Sequence, residues 1–347
     1  MNKIKLMTAG IALLLFCTAC GAGEEIDNLT AGMEAIQNLE YNEAITLLKA
    51  ALTDNEDERQ VCRGIGLAYM GLSQYDDAIA YFERALQLSS GTPQDIDFDI
   101  NYYLATAYYR NGQNEDAIAT YDAILALRPK EKEAYWLRGC VKLYSGDFEG
   151  AIPDFDNAIA LDSDDYNLLI QIYNVLTDNG YKDVGREYLL QAISENEKSM
   201  DNYDLGRIYY YLEDYENARE YLLKVKITSD YEAALYLGRT YEALGDYNYA
   251  SSIYNDYTLI DQSKPEIYNQ LGLCRMQMGE YELALSAFQT AMNIEGNNMM
   301  QSLKFNEIIA YEYMGDFKTA AVLMSDYLKS YPDDEEAQRE YQFLRTR

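Results

Sequence analysis

Small residues recur along this chain at intervals of 32 to 39 residues. Four positions after each comes a large apolar residue, and an apolar residue usually follows three positions later. The spacing i, i+4, i+7 places these side chains on one face of a helix, so each segment is predicted to be an amphipathic helix. The small residues are Ala44, Ala78, Ala117, Ala151, Gly185, Ala218, Ala250, Ala284 and Ala320.

A second helix is predicted before each of these segments. Twelve positions before the small residue there is usually another small residue, and an aromatic side chain often follows it, as with Gly238 and Tyr241. Turn signals such as Gly245-Asp246 separate the two segments. Small residues on both helices let the backbones approach closely where they cross, while large side chains fill the space beside the crossing. Each unit is therefore predicted to be a helical hairpin.

Nine such units follow one another, and their period of about 34 residues and their small and aromatic positions resemble the tetratricopeptide repeat. The fifth unit departs most, because Tyr173 stands where its first helix should have a small residue. The resemblance implies an all-α, right-handed superhelical solenoid of about nine hairpins over residues 27–334. Residues 335–347 are expected to form a C-terminal capping helix that covers the last apolar edge with Tyr341 and Leu344.

The N-terminal segment has a basic start and then an uncharged apolar run too short to span a bilayer, which is typical of a signal peptide. Its motif Thr18-Ala19-Cys20-Gly21 resembles the lipobox of bacterial lipoproteins, although Cys17 stands where an aliphatic residue is usual. The resemblance implies removal of residues 1–19, a lipid on Cys20 and a lipid-anchored tether over residues 20–26. It implies an extracytoplasmic protein anchored in a bacterial cell membrane. A conventionally cleaved signal peptide and a retained membrane anchor are the alternatives.

The tetratricopeptide resemblance also implies that the first helix of each hairpin lines a concave surface. We expect the large side chains there to bind an extended peptide or a partner protein, so the predicted function is a noncatalytic cell-envelope scaffold. The alternatives are a binder of glycans or peptidoglycan fragments, and rings that only brace the neighbouring unit. The candidate partner-binding residues are Tyr102, Tyr109, Arg110, Trp136, Tyr144, Tyr203, Arg207, Tyr210, Tyr211 and Arg239.

Composition and charge exclude several classes of function. The chain has 28 lysines and arginines against 58 aspartates and glutamates, a net charge of −30 that repels nucleic-acid phosphates. It contains no histidine, the usual general base near neutral pH. No nucleophile and base pair, phosphate-binding glycine loop or zinc-ligand spacing is found in the sequence. The chain is therefore predicted not to be an enzyme and to need no cofactor or metal.

Three further cysteines, Cys62, Cys140 and Cys274, fall in units two, four and eight. Adjacent helices pack ~8 to 10 Å apart. Cysteines two or more units apart are therefore too distant for a disulfide, in which the two Cα atoms lie within ~7 Å of each other. We expect these cysteines to be small buried residues of first helices.

Overall fold

A computed structural model of the protein describes residues 26–54, 56–226 and 230–347. Nineteen α-helices and no strand lie in these ranges. The predicted signal peptide, the lipidation site Cys20 and nearly all of the predicted tether lie outside the described residues. The prediction of an all-α stack of nine hairpins and one final helix is confirmed.

The helices form two compact units, with the boundary between Asp154 and Phe155 inside helix α8. The first unit contains α1 (Asn28–Gln37), α2 (Tyr41–Thr53), α3 (Glu58–Gly71), α4 (Tyr75–Gln87), α5 (Asp95–Arg110), α6 (Asn114–Leu127), α7 (Lys132–Tyr144) and the start of α8 (Phe148–Leu161). The second contains the rest of α8, α9 (Tyr166–Asp178), α10 (Lys182–Asn196), α11 (Asn202–Tyr211), α12 (Tyr215–Leu222), α13 (Tyr231–Ala243), α14 (Tyr247–Thr258), α15 (Pro265–Gln277), α16 (Tyr281–Met292), α17 (Met300–Tyr313), α18 (Phe317–Ser330) and α19 (Glu335–Leu344). Each odd-numbered helix up to α17 and the helix after it make one repeat, numbered one to nine.

First helices of neighbouring repeats approach each other more closely than second helices do. In the first unit α3 contacts both α1 and α5, and in the second unit α11 contacts both α9 and α13. Within the described residues, no two second helices make contacts as extensive as these. Each unit therefore curves with its first helices on the inside, and we call this side the first-helix face.

A glycine on the first helix packs against a large side chain on the second helix in several repeats. The two residues are always 16 positions apart, as with Gly66 and Phe82 or Gly206 and Leu222. A Cβ atom on either glycine would lie 2.5 Å from its large partner, a distance that packed carbon atoms do not reach. Gly238 with Tyr254 and Gly272 with Phe288 repeat the arrangement.

The fifth repeat has a large residue at the position where most other first helices have a small one. This residue is Tyr173, and the residue 12 positions later, alanine in the other repeats, is Gly185. A Cβ atom on Gly185 would lie 3.1 Å from Cδ2 of Tyr173, so the glycine makes room for the ring. Tyr173 is buried, with 5% of its surface exposed. The large residue on the first helix is therefore accommodated by a glycine on the second helix, and the hairpin stays intact.

The Gly-Asp signals form the predicted turns between the two helices of a repeat. Gly245 has φ +80° and Gly315 has φ +79°, in the left-handed region that glycine adopts without steric cost. The aspartate that follows caps the second helix, because Asp246 accepts a hydrogen bond of 3.0 Å from the backbone N–H of Tyr249. The turn thus ends one helix and begins the next.

Helix α19 covers the end of the ninth repeat. Leu344 is buried, and Tyr341 packs partly buried against the same apolar cluster. Glu312 on α17 faces Glu340 on α19. Burial and the neighbouring Glu340 carboxyl raise the pKa of Glu312 to about 7. Glu312 Oε1 is buried and receives no donor from the described residues, so the contact becomes a hydrogen bond only when one carboxyl is protonated.

We predict that Gly238→Ala destabilises the protein although alanine is the better helix former. Alanine in a helix is favoured over glycine by ~1 kcal/mol. The added methyl group would clash with the Tyr254 ring, and overpacking costs ~1 to 3 kcal/mol. Urea unfolding followed by circular dichroism should show a lower midpoint for G238A. The exposed Ser252→Ala on α14 is the matched control and should unfold at or above the wild-type midpoint. A more stable G238A would contradict the close crossing.

We predict that the Glu312→Gln variant loses less stability than the wild type as the pH rises. The folded protein keeps a proton on Glu312 up to about pH 7, whereas the unfolded chain loses it near 4.5, the ordinary pKa of a glutamate side chain. This stabilisation is therefore fully present below pH 4.5 and disappears as pH rises through 7. Thermal midpoints at pH 5 and pH 8 should fall less in E312Q than in the wild type. Glu335→Gln, at an exposed position of α19, should keep the wild-type difference. Equal falls in all three proteins would refute the shared proton.

Candidate functional site

The candidate residues of the first unit mostly pack against each other. The rings of Tyr109 and Tyr144 lie 6.3 Å apart between centroids. Tyr102 packs against the buried Tyr121 at 6.2 Å, and its hydroxyl donates a hydrogen bond of 3.5 Å to Glu131. The cavity beside Tyr109, Tyr121 and Tyr144 measures about 10 Å³, which is room for one water molecule. These tyrosines brace repeats three and four and leave no space for a ligand there.

The two other candidates of the first unit are Trp136 and Arg110. Trp136 on α7 is partly buried. Arg110, the last residue of α5, is exposed and makes no ion pair or hydrogen bond with another described residue. The structure does not gather the candidates of this unit around a groove.

Arg207, on α11 in the second unit, is buried with 6% of its surface exposed. Its guanidinium donates a hydrogen bond of 2.6 Å to Asn167 and forms an ion pair with Asp204. The same group lies 4.4 Å from the centroid of the Tyr203 ring, and Tyr203 donates its hydroxyl to Glu232. Contrary to the prediction from sequence, the Arg207 charge is used inside the protein and is not presented to a partner.

Tyrosines from two first helices form a cluster on the first-helix face. Tyr210 and Tyr211 of α11 lie 5.6 Å and 6.1 Å from Tyr236 of α13, measured between ring centroids. The hydroxyls of Tyr211 and Tyr236 are 3.1 Å apart and share a hydrogen bond. Burial raises the pKa of Tyr210 and Tyr236, so both phenols stay neutral at physiological pH. The cluster is a polar but uncharged wall.

Tyr210 of this cluster also lines an open groove of about 430 Å³ that crosses repeats six, seven and eight. We call it the α13 groove, because α13 lies at its centre. Its volume lies within the range of ~300 to 1,000 Å³ that is usual for ligand sites. The groove is lined by Tyr210, Arg239, Glu242, Ala243, Tyr247, Gln270, Leu273, Cys274 and Gln277.

Glu242 forms part of the groove floor and is held by internal donors. Its Oε1 atom accepts hydrogen bonds from the hydroxyl of Tyr254 and, at 3.5 Å, from the amide of Gln270. Burial raises the pKa of Glu242, and the donors, including the Cys274 thiol, oppose that rise together with the Arg239 charge. The carboxylate is therefore fixed in place by neighbours on α14 and α15.

Arg239 acts on Glu242 through its charge without a direct contact. It makes no ion pair or hydrogen bond with another described residue. Arg239 and Arg207 both stand eleven positions before the small residue of their repeats. Three positions before Arg207 is Asp204, its ion-pair partner, whereas three positions before Arg239 is Tyr236. A neutral phenol in place of the carboxylate leaves the Arg239 guanidinium free.

The groove residues Glu242, Tyr247, Gln270 and Gln277 are not among the binding residues predicted from the sequence. The repeat frame holds the signal that would have found two of them. Gln270 and Gln277 stand 14 and 7 positions before Ala284, as Tyr236 and Ala243 stand before Ala250. Each pair of positions is one side of a first helix, seven residues or about two turns apart. Comparing these positions between repeats would have placed both glutamines on the first-helix face.

Cys62, Cys140 and Cys274 are buried free thiols, and burial raises the pKa of each. In residues 26–54, 56–226 and 230–347, no three histidine, cysteine, aspartate or glutamate side chains are grouped as a metal site requires. None of the helices in these ranges is long and apolar enough to cross a bilayer.

Successive helical hairpins with a groove on the first-helix face are typical of repeat proteins that act as scaffolds. Models of the tetratricopeptide repeat match residues 69–138, residues 29–93 and 203–258, and residues 132–165 and 265–298. Together they cover more than half of the chain. The chain belongs to the tetratricopeptide repeat family, whose members are in general noncatalytic scaffolds for proteins and peptides.

Two curated proteins are similar in sequence. The BBSome complex member BBS4 of Bos taurus is 21% identical over 269 residues, which is 76% of this chain and 49% of that protein. The CTR9 homolog of Arabidopsis thaliana is 22% identical over 306 residues, or 82% of this chain and 27% of that protein. The chain thus spans half or less of the length of the curated relatives it matches.

Three solved structures are similar to this chain. A tetratricopeptide repeat protein from Parabacteroides merdae has a TM-score of 0.45 at 16% identity, over 82% of this chain and 97% of that one. MamA has a TM-score of 0.39 at 20% identity, over 48% and 95%. YrrB, described as having an unusual peptide-binding site, has a TM-score of 0.37 at 15% identity, over 64% and 97%.

Proposed function

We propose that this protein is a noncatalytic scaffold of the bacterial cell envelope that holds an extended segment of a partner protein in the α13 groove. The observation that carries the proposal is a groove crossing three repeats and lined by aromatic, amide and guanidinium groups. Such a mixture suits a peptide, whose backbone and side chains offer both apolar surface and hydrogen-bonding groups. Because α11, α13 and α15 are already folded, little ordering entropy is lost on the scaffold side.

The proposed position in the envelope rests on the sequence around Cys20. A lipid on that cysteine would hold the first repeat close to the membrane, because α1 begins at Asn28, a few residues further on. Two acyl chains give stable anchoring, whereas one gives only weak and reversible binding. The diacylglycerol implied by the lipobox resemblance supplies two. The anchor determines where the partner is held, and the groove determines what is held.

The anchor is tested by labelling with an alkyne fatty acid in a bacterial host. We expect the wild type and Cys17→Ala to incorporate the label and to fractionate with membranes. Cys20→Ala should incorporate no label, because its thiol is the proposed acceptor. A labelled C20A, or loss of the label in C17A alone, would place the lipid elsewhere and refute this part of the proposal.

Binding in the groove is tested with a photo-crosslinking amino acid in cells. Placed at Gln277, inside the groove, it should yield adducts that protease removes. Placed at Val322, 58% exposed on the second helix α18, it should yield few. Adducts sensitive to muramidase and resistant to protease would favour the glycan alternative. Equal adducts at both positions, or adducts only with lipid and other copies of the chain, would contradict the scaffold proposal.

A further inference from the structure

Most arginines of this protein form ion pairs with aspartate or glutamate side chains of the same chain. Arg59 contacts Asp97, Arg63 contacts Asp99, and Arg138 contacts Asp122 and Asp154. With 58 acidic against 28 basic residues, a guanidinium in the folded chain usually has a carboxylate within reach. Further pairs involve Arg84, Arg128, Arg207 and Arg219.

Arg239 is different because it faces a groove and makes no ion pair or hydrogen bond with another described residue. Its nearest acidic neighbour in the groove, Glu242, is bound through Oε1 by Tyr254 and Gln270. Its aromatic neighbours Tyr210 and Tyr236 remain neutral, since burial raises the pKa of both. None of these groups cancels the guanidinium charge by direct contact. The α13 groove therefore contains an unused donor fork of the geometry that binds carboxylates.

We propose that the α13 groove selects partner segments that carry an aspartate or glutamate side chain, and that Arg239 binds this carboxylate. The proposal rests on the proposed function and specifies the chemistry of the segment. The groove is open and crosses three repeats, so a chain can pass through it and present a side chain from its middle. An internal carboxylate is therefore the occupant, in place of a chain end.

The acidic character of the whole protein makes this selection specific. A surface of net charge −30 repels a run of acidic residues at long range. At physiological ionic strength that repulsion is screened beyond ~8 Å, whereas a direct contact with Arg239 is screened much less. The groove thus accepts one carboxylate at a defined position and disfavours strongly acidic segments. The amide group of Gln277 offers a further neutral donor beside it.

The test uses two bead libraries of random decapeptides with acetylated and amidated ends. One library has glutamate fixed at the central position and the other has glutamine, and the full mature chain is fluorescently labelled. In 150 mM salt we expect the wild type to prefer the glutamate beads about tenfold, the factor that a charge-assisted hydrogen bond supplies. Arg239→Gln should reduce the preference to about one and keep the binding to glutamine beads. Arg239→Lys should retain part of it.

Lys318→Gln is the matched control, because Lys318 is exposed on the second helix α18 and its loss changes the net charge equally. It should keep the tenfold preference, and thermal melting should change little in R239Q, since Arg239 makes no ion pair or hydrogen bond with another described residue. Equal binding of the wild type to both libraries would overturn this inference and leave the scaffold proposal standing. A preference that survives in R239Q would assign the carboxylate to another cation. If the wild type binds neither library, the scaffold proposal itself fails.

A third library with a free terminal carboxylate and central glutamine, bound better than the glutamate library, would show that the groove takes chain ends.

Discussion

The contact on which the rest of this structure depends is the crossing of a small residue on one helix and a large residue 16 positions later. Gly238 against Tyr254 and Gly66 against Phe82 are two instances. Close approach of the backbones fixes the geometry of each hairpin, and the large ring fills the space that the missing side chain leaves. With one side of each first helix committed to this crossing, another side remains to form the first-helix face. The groove is a consequence of that division.

Much of the fold could be predicted from the sequence because the crossing repeats with a nearly constant period. The fifth repeat shows the limit of simple pattern matching, since Tyr173 breaks the rule at one position and Gly185 restores it at another. The glycine on one helix makes room for the large ring on the other, and neither position alone shows this. The predicted capping helix is similar, because Leu344 and Tyr341 are apolar positions without a further repeat to cover.

The site was harder to predict because residue type does not show how a side chain is used. Arg207 and Arg239 occupy the same position of adjacent repeats, yet one is buried in an ion pair and the other faces the groove. The difference comes from a neighbour three residues earlier, Asp204 in one case and Tyr236 in the other. Tyr102 and Tyr109 likewise pack against other rings. Contacts within and between repeats determined which candidates remained available, and these follow from the packed structure.

The proposed function requires a partner segment on the first-helix face of repeats six to eight. The most direct measurement is a crystal structure of the protein with the segment recovered by crosslinking. We expect an extended chain against α11, α13 and α15, with a carboxylate within hydrogen-bonding distance of Arg239. A segment bound along the second helices α12, α14 and α16, with the α13 groove containing only solvent, would contradict it.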